Sequence, residues 1–190
     1  MTALAFRFDS FKHVYTLNDA PIPSITQMIE RGGLLGKGAA FYTEASRDRG
    51  TEVHRLCTDY DLGALNPATV TEFRGYLLAY VDAVKSLKPT WDEIEEADVH
   101  DGYRFAGRID RFGKVFKRVT VAEIKSAAPA KHHAIQTALQ AILKSARCGL
   151  PAEQIQRLAI YLKESGRVTA VLHEDRRDFD TAMRLIKEFC

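Results

Sequence analysis

The feature that most constrains this chain is a pair of apolar-alternating runs between Tyr103 and Ser126, each ending in charged residues. The first is Tyr103-Arg104-Phe105-Ala106-Gly107-Arg108-Ile109-Asp110, and the second is Val119-Thr120-Val121-Ala122-Glu123-Ile124-Lys125-Ser126. Such alternation marks strands, in which side chains two apart point to the same face. Glu123 and Lys125 therefore share a face, and Ile124 takes the other. If the runs pair as a hairpin, Asp110 lies beside Glu123, and two carboxylates and an ammonium converge at one edge of a sheet. Hard oxygen ligands of this kind suit Mg²⁺ or Mn²⁺, which bind through one or two carboxylates and substrate phosphates. Lys125 can hold a phosphate or a water of such a site.

The rest of the chain is divided by its breakers. Phe6 to Leu17 alternates loosely and predicts a short hairpin closed at Asp9-Ser10, then a turn at Asn18-Asp19. Ser24 with Gln27 is a capping-box pattern for a helix to about Arg31. Gly32, Gly33, Gly36 and Gly38 follow as a flexible loop. Their spacing is not that of a P-loop, because Ala39-Ala40 stands after Gly38. The periodicity predicts helices over Ala40 to Tyr60, Val70 to Leu87 (capped by Thr69 or Thr71) and Lys131 to Cys148. Glu95 to His100 and Tyr103 to Phe112 flank an Asp101-Gly102 hairpin turn, and Phe112-Gly113-Lys114 turns into the strand Val119 to Lys125. Gln156 to Lys163 and Arg167 to His173 form a final hairpin, and Asp178 caps a helix to about Phe189. This order gives an α/β layout with a mixed central sheet, because the first strands pair as hairpins.

Several polar residues have two readings on spacing alone. His54 shares a helix face with Gly50 and is either a packed histidine or a metal ligand. Gln136 and Gln140 lie on one helix face, equally a solvated stripe or part of a site. His132 and His133 read as surface residues. Arg108, Arg111, Lys114, Lys117 and Arg118 form a basic cluster that is either a solvated face or a set of phosphate contacts.

Asp110 followed by Glu123-Ile124-Lys125 resembles the D…(D/E)-x-K signature of the PD-(D/E)XK nuclease superfamily. Gln136-Thr137-Ala138-Leu139-Gln140 stands where RecB-like and phage-type exonuclease members carry Q-x-x-x-Y, with Gln140 in place of the Tyr. Arg49-Gly50-Thr51-Glu52-Val53-His54 is similar to their R-G-x-x-x-H helix, and Tyr15-Thr16-Leu17-Asn18 with Ile22-Pro23-Ser24-Ile25-Thr26 looks like the opening of phage-type members. The resemblance covers most of the chain, in the right order.

It implies a restriction-endonuclease-like αβββαβ core and a metal-dependent DNA nuclease, of exonuclease type. Asp110, Glu123, Lys125 and Gln136 would be catalytic, and Asp110, Glu123, the Ile124 carbonyl and His54 would hold Mg²⁺ (or Mn²⁺). Some members add an acidic residue from the strand near Glu96, which here reads first as a solvated edge. Arg108, Arg111, Lys114, Lys131 and Gln140 would contact DNA. The alternatives are an inactive nucleic-acid-binding protein on the same fold and a structure-selective endonuclease. The resemblance also leaves room for a homo-oligomer or a recombination-protein partner.

Composition bounds these expectations. A chain of 190 residues suits a single domain over 1–190, with hairpin and helices over 1–90 and the sheet core over 91–190. A net charge of +2 does not by itself mark a nucleic-acid binder, so any basic surface must be local. Cys57, Cys148 and Cys190 lack metal-type spacing and form no disulfide framework, which fits a reducing cytoplasm, bacterial or of a phage-infected host. No signal peptide and no apolar run of about 18 residues is present, so neither secretion nor a membrane span is expected.

Overall fold

The computed structural model describes residues 5–35 and 43–190. Phe6–Asp9 (β1), Val14–Leu17 (β2) and Ala20–Ile22 (β3) form an antiparallel meander. Ile25–Arg31 (α1) begins on the expected capping box: Gln27 N–H donates to Ser24 Oγ at 3.1 Å, and Ser24 N–H to Gln27 Oε1 at 3.0 Å. Gly36, Gly38 and the start expected for the next helix at Ala40 lie outside the described residues. Glu44–Asp61 (α2) is capped by Thr43.

Arg74–Leu87 (α3) starts four residues later than the periodicity predicts. Pro67–Thr69 forms a separate 3₁₀ turn, and Phe73, with φ of 53°, is left-handed and cannot extend the helix backward. Gly75 lets α3 approach the final hairpin, because a Cβ there would stand 1.7 Å from the Glu164 carbonyl oxygen.

Thr90–His100 (β4), Phe105–Val115 (β5), Arg118–Lys125 (β6), Gln156–Leu162 (β7) and Val168–Leu172 (β8) form one sheet in sequence order. Only β6 and β7 pair in parallel, joined by Lys131–Cys148 (α4). The sheet is therefore mixed and flanked by helices, and α3 to β7 supplies the expected αβββαβ order. Arg177–Phe189 (α5) closes the chain. Residues of α1, α4 and α5 pack on one face through Ile109, Phe112 and Val121. Residues of α2 and α3 pack on the other through Ala122, Ile124 and Leu158. None of the described helices is long and apolar enough to cross a membrane.

Three local expectations are corrected. β5 does not turn at Phe112-Gly113-Lys114 but continues to Val115, and the turn falls on left-handed Phe116 and Lys117. Gly113 instead accommodates β4, since a Cβ there would meet the Thr90 carbonyl oxygen at 2.1 Å, beside the register shift between Trp91 and Glu93. Asp178 does not cap α5: it lies in the first turn and pairs with buried Arg157 at 3.0 Å. His133 is 1% exposed, not a surface residue, and its Nδ1 lies 2.9 Å from the Tyr161 hydroxyl.

Candidate metal centre

The antiparallel register Arg111↔Ala122 sets Asp110 on β5 beside Glu123 on β6, as the hairpin pattern predicts. Asp110 is buried, and its Oδ2 accepts a hydrogen bond from the Ile124 backbone N–H at 2.7 Å. Burial and the nearby charges of Glu123 and Glu95 push the Asp110 carboxyl up to about 7, against the opposing pull of His54 and Lys125. A carboxylate so destabilised is one that a cation would relieve.

The α2 helix buries Val53, Leu56 and Cys57 and thereby fixes His54 over the middle of β4 and β5 and the end of β6. His54 Nδ1 lies 3.1 Å from Glu95 Oε1 and 3.6 Å from Asp110 Oδ1. Its Nε2 lies 3.0 Å from the Ile124 carbonyl oxygen. With Nε2 protonated and donating to that carbonyl, Nδ1 is turned toward the carboxylates, the arrangement typical of a metal-binding histidine. Burial opposes a charge on His54, but Asp110, Glu95 and Glu123 carry its pKa up to about 9. Gly50, one turn earlier, is not packed tightly: the nearest atom to a Cβ would be Ser126 Oγ, at 4.0 Å.

Glu95 is the ligand candidate that the sequence pattern misses. Glu96, the residue of this stretch weighed above, is exposed as its solvated reading expects, and its neighbour Glu95 faces His54 and Asp110. Glu95 is left-handed, with φ of 54°, inside β4, a conformation that costs about 1–2 kcal/mol for a residue with a Cβ. The register on β5 shifts once, at the bulge between Trp91 and Glu93, and sets Glu95 opposite Asp110. Burial works against ionisation of Glu95, but its hydrogen bond to His54 and the charges of His54, Arg108 and Arg111 hold its carboxyl below the ordinary value. Its Oε2 is buried without a hydrogen bond, although the Arg108 guanidinium is 3.0 Å away. Among the described residues, His54, Glu95 and Asp110 place one ligand atom each within 4.8 Å of one another. One imidazole and two carboxylates fit a small divalent cation.

Glu123 is held from the other side. Its Oε1 accepts from Lys125 Nζ and Gln136 Nε2, both at 2.6 Å, and its Oε2 from Gln140 Nε2 at 2.5 Å. Gln136 and Gln140 are thus not a solvated stripe but the α4 wall of the site. Gln140 is 1% exposed, so it supports Glu123 and does not present a surface to DNA. A cavity of about 200 Å³ opens here, lined by Asp110, Glu123, Lys125, by His13 and Tyr15 of the amino-terminal meander and by Ser24, the cap of α1. No periodic signal in the sequence brings those three residues to the site.

The basic residues separate. Arg108 is half exposed and lines both this cavity and an adjoining cleft of about 460 Å³ that reaches His54 and Thr51. Lys131 is exposed at the start of α4, and Lys114 is exposed about 13 Å along β5 from Asp110. Arg111 is corrected: it is wholly buried, with Nε donating to Asp61 Oδ2 at 2.6 Å and Nη1 to the Asp110 carbonyl at 2.6 Å. An arginine so enclosed reaches no phosphate.

No protein-family model and no curated protein matches the chain. Among solved structures, the chain is similar to a candidate exonuclease from Eubacterium rectale, with a TM-score of 0.54 at 9% identity over 88% of this chain and 77% of that one. It is also similar to SSO0001, at 18% identity over 87% and 73% of the two chains, with a TM-score of 0.44 that carries no argument. The first likeness defines the class of fold, an α/β sheet with flanking helices of the kind that candidate exonuclease adopts.

Proposed function

We propose that this chain is a divalent-metal-dependent deoxyribonuclease of the PD-(D/E)XK type, most simply an exonuclease, acting as one nuclease domain. One observation carries this reading: Asp110 and Glu123 lie side by side on β5 and β6, with Lys125 on Glu123 and with His54 and Glu95 closing on Asp110. The fold shared with a candidate exonuclease supports it.

Asp110, Glu95 and His54 would hold Mg²⁺ or Mn²⁺, with Glu123 beside Asp110 and the Ile124 carbonyl beside His54. The ion would polarise the scissile phosphate, acidify a bound water and neutralise the departing oxygen. Lys125 places or deprotonates the attacking water and offsets charge that develops on the phosphoryl oxygens. Gln136 and Gln140 fix the Glu123 carboxylate from α4 and keep it aimed. Arg108, between the two clefts, moves from Glu95 to a backbone phosphate when DNA is bound. Lys131 and Lys114 add contacts to the backbone. Such contacts carry no sequence information, which suits an exonuclease.

The test is cleavage of end-labelled linear and closed circular DNA in Mg²⁺, Mn²⁺ or EDTA. Metal-dependent loss of the linear form alone supports an exonuclease. Cleavage of both keeps the nuclease and changes its class to endonuclease. Cleavage of neither by the folded protein returns the inactive DNA-binding alternative.

A further inference from the structure

The β1–β2 hairpin carries a row of aromatic rings from the site to solvent. Tyr15, 2% exposed, lines the cavity that holds Asp110, Glu123 and Lys125. Phe8 stacks on Tyr15 with ring centroids 4.4 Å apart, and the His13 ring stands edge-on to both, at 5.5 and 5.8 Å. Beyond them, at the tip, Phe11 is 97% exposed. The tip has a fixed geometry, because Asp9 Oδ1 accepts from the backbone N–H of Phe11 at 3.0 Å and of Lys12 at 2.9 Å.

A phenylalanine ring so exposed contributes almost nothing to the core, so packing does not account for it. Its position does suggest a use. It stands on an ordered turn, two residues from His13, and His13 is in the wall of the site. Lys12 supplies positive charge on the same hairpin, and Arg7, exposed and paired with Asp19 at 3.3 Å, adds a second cation that can exchange that carboxylate for a phosphate. An exposed aromatic beside basic side chains is the composition of a single-strand platform, since every base offers a π-face for stacking.

On the nuclease reading above, we propose that Phe11 stacks on an unpaired base of the DNA strand whose backbone enters the cavity, so that the protein engages single-stranded ends in preference to paired ones. Arg7 and Lys12 meet the phosphates flanking that base. The meander, joined to β5 through Ala106 N–H and the Pro23 carbonyl at 3.0 Å, holds the stacked base at a fixed offset from Lys125.

The probe is an oligothymidine bearing one 2-aminopurine, titrated in Ca²⁺ with wild type, Phe11→Ala, Phe11→Tyr and Phe11→Leu, while cleavage of the same strand is followed in Mg²⁺. Wild type and Phe11→Tyr are expected to quench the 2-aminopurine fluorescence. Phe11→Ala is expected to bind between about 5-fold and about 150-fold more weakly, without the quench. Because the ring is almost fully in solvent, removing it does not unfold the hairpin. Equal affinity and quenching by Phe11→Ala, or full function in Phe11→Leu, overturns the stacking. If those proteins still cleave in Mg²⁺, the nuclease reading stands. Absence of both binding and cleavage in wild type overturns the two together.

Discussion

The Asp110 carboxylate accepts a hydrogen bond from the Ile124 backbone N–H at 2.7 Å, which ties it to the strand that carries Glu123 and Lys125. This acceptor role and the proposed metal-binding role make different demands on the residue. Asp110→Asn keeps an oxygen for Ile124 and removes a buried charge that Glu123 and Glu95 oppose. It is expected to melt no lower than wild type in EDTA, and to lose metal-dependent cleavage. Asp110→Ala leaves a buried N–H unpaired and is expected to lose about 1–3 kcal/mol of stability. Paired urea denaturations check the contrast, and equal stability of the two variants would contradict it.

On the proposed function, Glu95 and His54 would set the metal affinity. The folded-state pKa of His54, about 9, lies above its ordinary 6.5. The stability it contributes to the metal-free protein is therefore present below about pH 6.5 and is lost as the pH rises through about 9. A cation taking Nδ1 must displace that proton, so Mn²⁺ affinity is expected to rise with pH over the same window. Glu95→Gln should bring the His54 titration down and weaken Mn²⁺ binding by at least about tenfold. An NMR titration with calorimetry reads both. A wild-type His54 titrating near 6.5 would be inconsistent with the site as described.

His133 gives a pH dependence of opposite origin. Burial first, then the charges of Lys125, His132 and His173, lower its pKa to about 3 from an ordinary 6.5. Above about pH 6.5 it is neutral in both folded and unfolded chains and contributes no pH dependence. Below that, the unfolded chain takes up the proton and the folded one does not, so stability falls. At pH 5 the loss is about 2 kcal/mol. His133→Gln should flatten the slope of the urea midpoint between pH 5 and 7 relative to wild type. An unchanged slope would contradict a neutral buried imidazole.

Arg111 separates a structural role from a DNA contact. Its guanidinium and the Asp61 carboxylate are both buried, and the Tyr80 hydroxyl donates to the same Asp61 oxygen. Arg111→Ala leaves Asp61 without its cation and is expected to cost about 3–5 kcal/mol. A variant as stable as wild type that binds DNA more weakly would show a surface phosphate contact instead.

These cases also show what the sequence could reveal. Asp110, Glu123 and Lys125 were legible because strand alternation fixes facing, and two antiparallel runs joined by a short turn fix register. The α1 capping box and the full extent of α4 were legible for the same local reason. Glu95 was not, because the pattern of β4 alone does not say which of the neighbouring Glu95 and Glu96 faces the helix that carries His54. Burial of Arg111 and His133 was not, because their partners Asp61 and Tyr161 come from distant segments. Gly113 appeared to mark a turn and instead marks the approach of β4, a distinction that needs the neighbouring strand.

The most direct test of the central claim compares linear DNA cleavage in Mg²⁺ by wild type, Glu123→Ala and Lys125→Ala, each shown to be folded by circular dichroism. The site as assigned predicts cleavage by wild type alone, abolished by EDTA. Undiminished cleavage by purified Glu123→Ala would contradict it.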